Sequence, residues 1–387
     1  MASARQRKTA EGIAGNNNGV SCVVPRMTSL FEPLTLGRHT LKNRVTMAAL
    51  TRQRAGRSGV PTSLHAQYYA QRASAGLVVT EGTFPAVTSR AFPGQAGVET
   101  PEQRAGWAEV ARAVHERGGV VFMQVMHGGR MSHPDLLEGR QPEAPSAVAS
   151  GTQVHTFEGK ADAPVPRPLS AEEMPRIVEE FRAAARGAID AGLDGVEIHG
   201  ANGYLLHEFL APSSNLREDE FGGSPENRRR LPEAVIRAVA DEVGADRVGL
   251  RLSPEHNIQG VLEEDPAETL ATYRGLLEAV GELGLAYVSL LHGEAASSGL
   301  IGQLAEAARA NGTTRVILNT GFATVTDEAE ARGLLESGRA DAVAVGRQLI
   351  ANPDLVRRWE EGLGLNTPDP ATFYSAGERG YVDYPFA

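Results

Sequence analysis

The stretch Val196–Leu210 reads VEIHGANGYLLHEFL: a β-branched run that breaks at Gly200, with His199, Asn202 and Tyr204 set around the break. These side chains donate and accept hydrogen bonds, and a tyrosine holds its proton at neutral pH. Other strand-like runs end in a similar way, at Ala49-Leu50-Thr51, at Glu81-Gly82, at Gln124 just before Met126, at Arg251, at Thr320-Gly321 and at Gly346-Arg347. An amide (Gln124), a hydroxyl (Thr51) and a guanidinium (Arg251) can hydrogen-bond a flat heterocycle. Backbone amides at Gly321 and Gly346, with Arg347, can hold a phosphate. The set suits a phosphorylated planar cofactor, provided that the strand ends converge. Taken singly the readings are duller: His199 as a structural hydrogen-bonder, Arg251 as the partner of a buried Glu197, Arg347 as a surface charge.

Convergence needs a particular architecture. From Val45 onward, eight short apolar runs alternate with helix-length segments: VTMAAL (45–50), LVVTEG (77–82), VVFMQVM (120–126), VEIHG (196–200), RVGLRL (247–252), AYVSLL (286–291), RVILNT (315–320) and AVAVG (342–346). Each is apolar at both parities, as parallel strands buried on two faces require. Helix starts are marked by Thr100-Pro101-Glu102-Gln103, Ser170-Ala171-Glu172-Glu173 and Asp265-Pro266-Ala267-Glu268, which place a capping side chain before the first turn. Gly76, Gly118, Gly192, Gly284, Gly312 and Gly338 read as helix ends. Eight β-then-α units predict an α/β fold, a single (β/α)₈ TIM barrel spanning residues 28–387. Residues 127–169, rich in proline and glycine, form a lid insertion after the third strand, with QVHTFEGK (153–160) as a small hairpin. Parity along the strands places Met126 beside Gln124 and His199 beside Glu197.

Composition narrows the function. A net charge of −10 over 387 residues disfavours nucleic acid and anionic membrane as partners. The single cysteine, Cys22, allows no disulfide within the chain and fits a reducing cytoplasm. Residues 1–27 lack the apolar core of a secretory signal and read as a disordered leader. No run approaches the ~20 apolar residues of a membrane helix. The chain has no G-x-G-x-x-G after a strand, no P-loop, no H-E-x-x-H and no G-x-S-x-G elbow. His127, His133, His207 and His292 lack metal-ligand spacing, and no metal is expected. A nicotinamide cofactor therefore has no Rossmann domain of its own and would visit the site as a substrate.

At these residues the chain resembles the old yellow enzyme family of FMN-dependent ene-reductases. The resemblance rests on five ordered blocks: residues 30–52 (LFEPLTLGRHTLKNRVTMAALTR), 65–83, 196–228, 345–355 (VGRQLIANPDL) and 373–385 (FYSAGERGYVDYP). It implies non-covalently bound FMN and an NADPH or NADH hydride donor. It also implies that Ala49, Leu50, Thr51, Gly82, Gln124, Arg251, Thr320, Gly321, Gly346 and Arg347 bind the cofactor. Thr51 would tune the flavin at its C4 carbonyl, and Arg251 would stabilise negative charge on the reduced ring. His199 and Asn202 would hold the carbonyl oxygen of an α,β-unsaturated (or nitro) substrate, and Tyr204 would donate the proton. Met126 and Tyr374 would line the substrate pocket.

The chain departs from the family pattern at Met126, where an aromatic is common, at Ala49, where proline is usual, and in residues 253–261, which lack an aromatic. A flavin-dependent isomerase or desaturase, and a noncatalytic flavin-binding protein, are the competing readings. A monomer or homodimer is expected.

Overall fold

The computed structural model describes residues 29–322 and 325–387, and the expected leader and Cys22 lie outside them. Eight parallel strands close into a barrel: β1 (Val45–Met47), β2 (Leu77–Val79), β3 (Val121–Val125), β4 (Gly195–Gly200), β5 (Val248–Leu252), β6 (Tyr287–Leu291), β7 (Arg315–Asn319) and β8 (Ala342–Val345), with β8 pairing β1 to complete the ring. The expected (β/α)₈ barrel is the observed one. Several strands stop earlier than the apolar runs suggest. β1 ends at Met47 and β2 at Val79, so Ala49 to Thr51 and Glu81-Gly82 sit in loops at the mouth.

A helix follows each strand, and its buried stripe explains its place. On Met174–Asp190 the buried side chains are Met174, Ile177, Phe181, Ala184, Ala185 and Ala188, a spacing that lays one face on the barrel. Burying a large apolar side chain such as Phe181 contributes about 1.5–3 kcal/mol. Two of the three expected caps form: Thr100 accepts from the Gln103 N–H at 3.3 Å, and Asp265 accepts from Ala267 and Glu268 at 2.9 and 3.2 Å. At Ser170 the bond is instead from its N–H to the Glu173 carboxylate at 2.9 Å, and the α-helix starts only at Met174. Gly76 is a correction. The helix Ser63–Gln71 ends well before it, and a Cβ at Gly76 would lie 2.1 Å from the Asn43 carbonyl oxygen. Close backbone approach explains this glycine, not a helix end.

The two ends of the barrel differ. At the amino end an antiparallel hairpin, Leu34–Leu36 with His39–Leu41, packs Leu34, Leu36 and Leu41 against Phe122, Tyr287 and Ile317. That end is plugged. Over the carboxyl end lies the insertion after β3, carrying the hairpin Gln153–Thr156 and Gly159–Asp162, two residues longer than expected. Opposite it runs the segment 370–382. Arg52 donates to the Phe373 and Gly380 carbonyls, Arg54 to those of Thr372, Gly377 and Arg379, and Arg72 to that of Tyr381. Tyr381 stacks on Tyr68 with ring centres 4.0 Å apart. The His155 and Tyr374 rings, 6.2 Å apart, join the lid hairpin to this strap. Among the described residues no helix is long and apolar enough to cross a membrane.

Candidate active site

The barrel mouth holds a cavity of about 400 Å³ lined by Ala49, Leu50, Thr51, Gln124, Met126, His199, Asn202, Tyr204, Arg347 and Tyr374. A narrower recess adjoins it, bounded by Ala48, Arg251, Asn319, Gly321, Gly346 and Arg347. Residues scattered from 49 to 374 thus meet at one place. Of the expected cofactor residues, Gly82 and Thr320 line neither space. Gly82 lies alongside, since a Cβ there would come 2.7 Å from Met126 Sδ and 3.3 Å from Gln124 Oε1. Thr320 keeps a buried hydroxyl with no partner among the described residues.

Strand register sets the polar pairs. Gln124 on β3 lies beside Glu197 on β4, and His199 beside Arg251 on β5. Glu197 is buried, and it accepts from Gln124 Nε2 at 2.7 Å and from the Tyr287 hydroxyl at 2.9 Å. Gly249 makes the second contact possible, because a Cβ there would lie 2.2 Å from Tyr287 Cζ. The alternative pairing of Arg251 with Glu197 does not form as an ion pair: Glu197 takes Gln124 and Tyr287, and Arg251 Nε is left without a partner among the described residues.

The donor turn after β4 is held from several sides. The Ala201 N–H donates to His199 Nδ1 at 3.2 Å, so Nε2 carries the hydrogen when the ring is neutral. Burial, helped by the nearby Arg251 and His207, lowers the His199 pKa well below its ordinary value, so the imidazole is neutral at pH 7. Asn202 adopts φ +57°, the left-handed region that asparagine tolerates better than most residues. Its N–H donates to Ser253 Oγ at 2.8 Å, and its side-chain Oδ1 is buried without a partner among the described residues. The Gly203 N–H donates to His207 Nδ1 at 2.9 Å, and His207 Nε2 lies 3.4 Å from Glu263. Tyr204 is edge-on to His199, ring centres 5.0 Å apart, and to Phe92 at 6.3 Å. Burial pushes its phenol up to about 12, against a hydrogen bond from Gln259 that lowers it. Tyr204 is protonated at any physiological pH.

The space fits FMN on its own evidence. An unpartnered guanidinium nitrogen at Arg251 and an amide at Gln124 border the cavities. Gly321, at φ +90°, and Arg347 border the recess. Side chains unflagged by sequence reasoning also line the cavity, namely Phe92, Phe322, Phe373 and Ile350. The three phenylalanines come from irregular segments with no periodic pattern to mark them, and Ile350 from the short helix Arg347–Ala351. Ser253 was findable, since it stands two residues beyond Arg251 and shares its parity.

These features define a barrel enzyme built to hold a flavin mononucleotide and a small substrate at one mouth. The comparisons agree: residues 29–366 match the model of the NADH:flavin oxidoreductase / NADH oxidase family. A probable flavin mononucleotide-dependent alkene reductase of Leishmania infantum is 41% identical over 365 residues, 92% of this chain and 97% of the relative. Rice (Oryza sativa subsp. japonica) 12-oxophytodienoate reductase 1 is 39% identical, covering 92% and 93%. Among solved structures, morphinone reductase superposes with a TM-score of 0.87 at 40% identity, covering 93% of this chain and 97% of that one. An old yellow enzyme homologue of Zymomonas mobilis gives 0.85 at 39%, covering 92% and 99%. The chain belongs to the old yellow enzyme family. It is an FMN-dependent NAD(P)H oxidoreductase that reduces activated C=C bonds.

Proposed function

We propose that the activated alkene is an α,β-unsaturated carbonyl or nitro compound, that His199 and Asn202 hold its oxygen, and that Tyr204 delivers the proton. The observation that carries this reading is the convergence of a neutral His199, the Asn202 side chain and a protonated Tyr204 on one cavity. When bound, FMN supplies the hydride, which it takes from NAD(P)H. His199 Nε2–H and the Asn202 amide polarise the substrate oxygen and stabilise the negative charge that develops there, a contribution worth a few kcal/mol of barrier per donor. Tyr204 then protonates the α-carbon, the acid step that net reduction requires. Gln124, Thr51 and Arg251 would hold the isoalloxazine, and Gly321, Gly346 and Arg347 the phosphate. Met126 and Tyr374 bound the substrate side. The single cysteine supports a cytoplasmic setting, with the chain acting as a monomer or homodimer.

The test is Tyr204→Phe in rapid-mixing experiments. Reoxidation of the reduced enzyme by an enone should slow at least ~100-fold, the usual range for losing a general acid. Reduction by NADPH should stay near the wild-type rate. Equal losses in both half-reactions would refute the proton-donor role.

A further inference from the structure

Glu197 is absent from the cavity wall, yet it sits directly beneath the residues that would grip the ring. It is 2% exposed, accepts from Gln124 and Tyr287, and stands two residues before His199 on β4, on the same side of the strand. Gln124 Nε2 donates to Glu197 Oε1, so the Gln124 amide turns its NH₂ downward. Its oxygen is then left towards the mouth, 3.3 Å from where a Gly82 Cβ would be. Gln124 therefore offers an acceptor to the ligand while Arg251 offers donors. That pairing reads a ring edge with an N–H flanked by carbonyl oxygens, which is the imide edge of a flavin.

Resting on the assignment of FMN to this mouth, we propose that Glu197 is a positioning residue with two effects. It fixes Gln124 with its oxygen toward the flavin imide N–H, and its buried negative charge offsets Arg251 and lowers the reduction potential of the bound flavin. Burial raises the Glu197 pKa above the ordinary carboxylate value, and Arg251 and the bonds from Gln124 and Tyr287 hold that rise back. A charge held this way, out of water and near the ring, acts with little screening.

Glu197→Gln isolates the charge. The new amide oxygen can still accept from Gln124, and its nitrogen can donate to the Tyr287 hydroxyl, which reverses that bond but keeps the contact while the charge leaves. The measurement is the midpoint potential of bound FMN, by anaerobic titration against a reference dye. The expected result is a shift to more positive potential; an unchanged or more negative value overturns the proposal. A second measurement needs no variant: wild-type apoprotein should bind N3-methyl-FMN at least ~10-fold more weakly than FMN, because the methyl group replaces the proton that Gln124 accepts. Equal affinities overturn the orientation. A wild-type protein that binds no FMN at all would instead refute the cofactor assignment, so the two failures are distinct.

Discussion

The backbone N–H of Asn202 on the turn after β4 donates to the Ser253 hydroxyl beyond β5 at 2.8 Å. Ser253 is fully buried, and Asn202 is held at φ +57°. A neighbouring strand's loop thus sets the conformation of a residue that lines the cavity. The same loop carries Gln259, whose side chain lowers the Tyr204 pKa against the effect of burial and whose carbonyl accepts from Arg130 at 3.3 Å. Ser253→Ala strips the partner from a buried N–H, a change that costs about 1–3 kcal/mol. The affinity for phenolic ligands, read from the long-wavelength band they form with the flavin, should fall about ten-fold, with FMN content unchanged. An unaltered dissociation constant would show that Ser253 has no hold on the site.

Arg347 borders both the substrate cavity and the recess beside Gly321 and Gly346, and its guanidinium also donates to the Phe322 carbonyl. If the recess takes the phosphate, Arg347→Ala should weaken FMN binding by roughly 10- to 100-fold, in line with a charge-assisted bond worth about 1.5–3 kcal/mol. Riboflavin, which lacks the phosphate, should bind both proteins alike. Equal weakening for the two ligands, measured by fluorescence quenching, would move the phosphate elsewhere.

The barrel was legible because its strands announce themselves as apolar runs at both parities, and because period and capping chemistry are local signals. The polar strand ends were legible for the same reason: His199, Arg251 and Gln124 are each the last residue but one of a strand. Loops carry no such ruler. Phe92, Phe322 and Phe373 reach the cavity through loop paths that depend on contacts far away in the chain. Gly76 was misread because nothing local distinguishes a helix-ending glycine from one pressed against the Asn43 carbonyl. The partner of Glu197 was likewise undecidable from residue types, since Arg251 and Gln124 both lie on neighbouring strands.

Three arginines tie the strap to the barrel, and the strap brings Pro370, Phe373 and Tyr374 to the cavity. Among the described residues Arg54 bonds only to backbone carbonyls and Ser375 on the strap and to the Arg52 carbonyl, while its guanidinium lies 4.2 Å from the Tyr381 ring centre. Arg54→Met should therefore loosen one wall of the pocket without touching the donor turn. The expected signature is a KM raised several-fold with kcat within about two-fold, and faster proteolysis in residues 370–382. A drop confined to kcat would contradict a wall-forming role.

Glu208 provides a pH-dependent test of the support beneath the site. Its side chain is buried, one carboxylate oxygen accepts from the Arg130 N–H at 2.9 Å, and the other has no partner among the described residues. Gly129 presses against it, since a Cβ there would lie 2.2 Å from Oε1. Burial pushes this acid up to about 8 from an ordinary 4.5, and Arg130 only partly opposes the shift. A carboxyl raised on folding favours the protonated native state: its contribution is intact below the unfolded value near 4.5 and is lost as pH rises through about 8. At high pH the folded protein bears an ionised, half-satisfied buried group, a penalty of at most a few kcal/mol. Glu208→Gln keeps the oxygen that accepts from Arg130 and never ionises. The stability of Glu208→Gln relative to wild type should therefore climb between pH 5 and pH 9, read as the difference in denaturation midpoint at each pH. A difference that stays flat over that range would mean that Glu208 does not titrate in the folded protein as its burial requires.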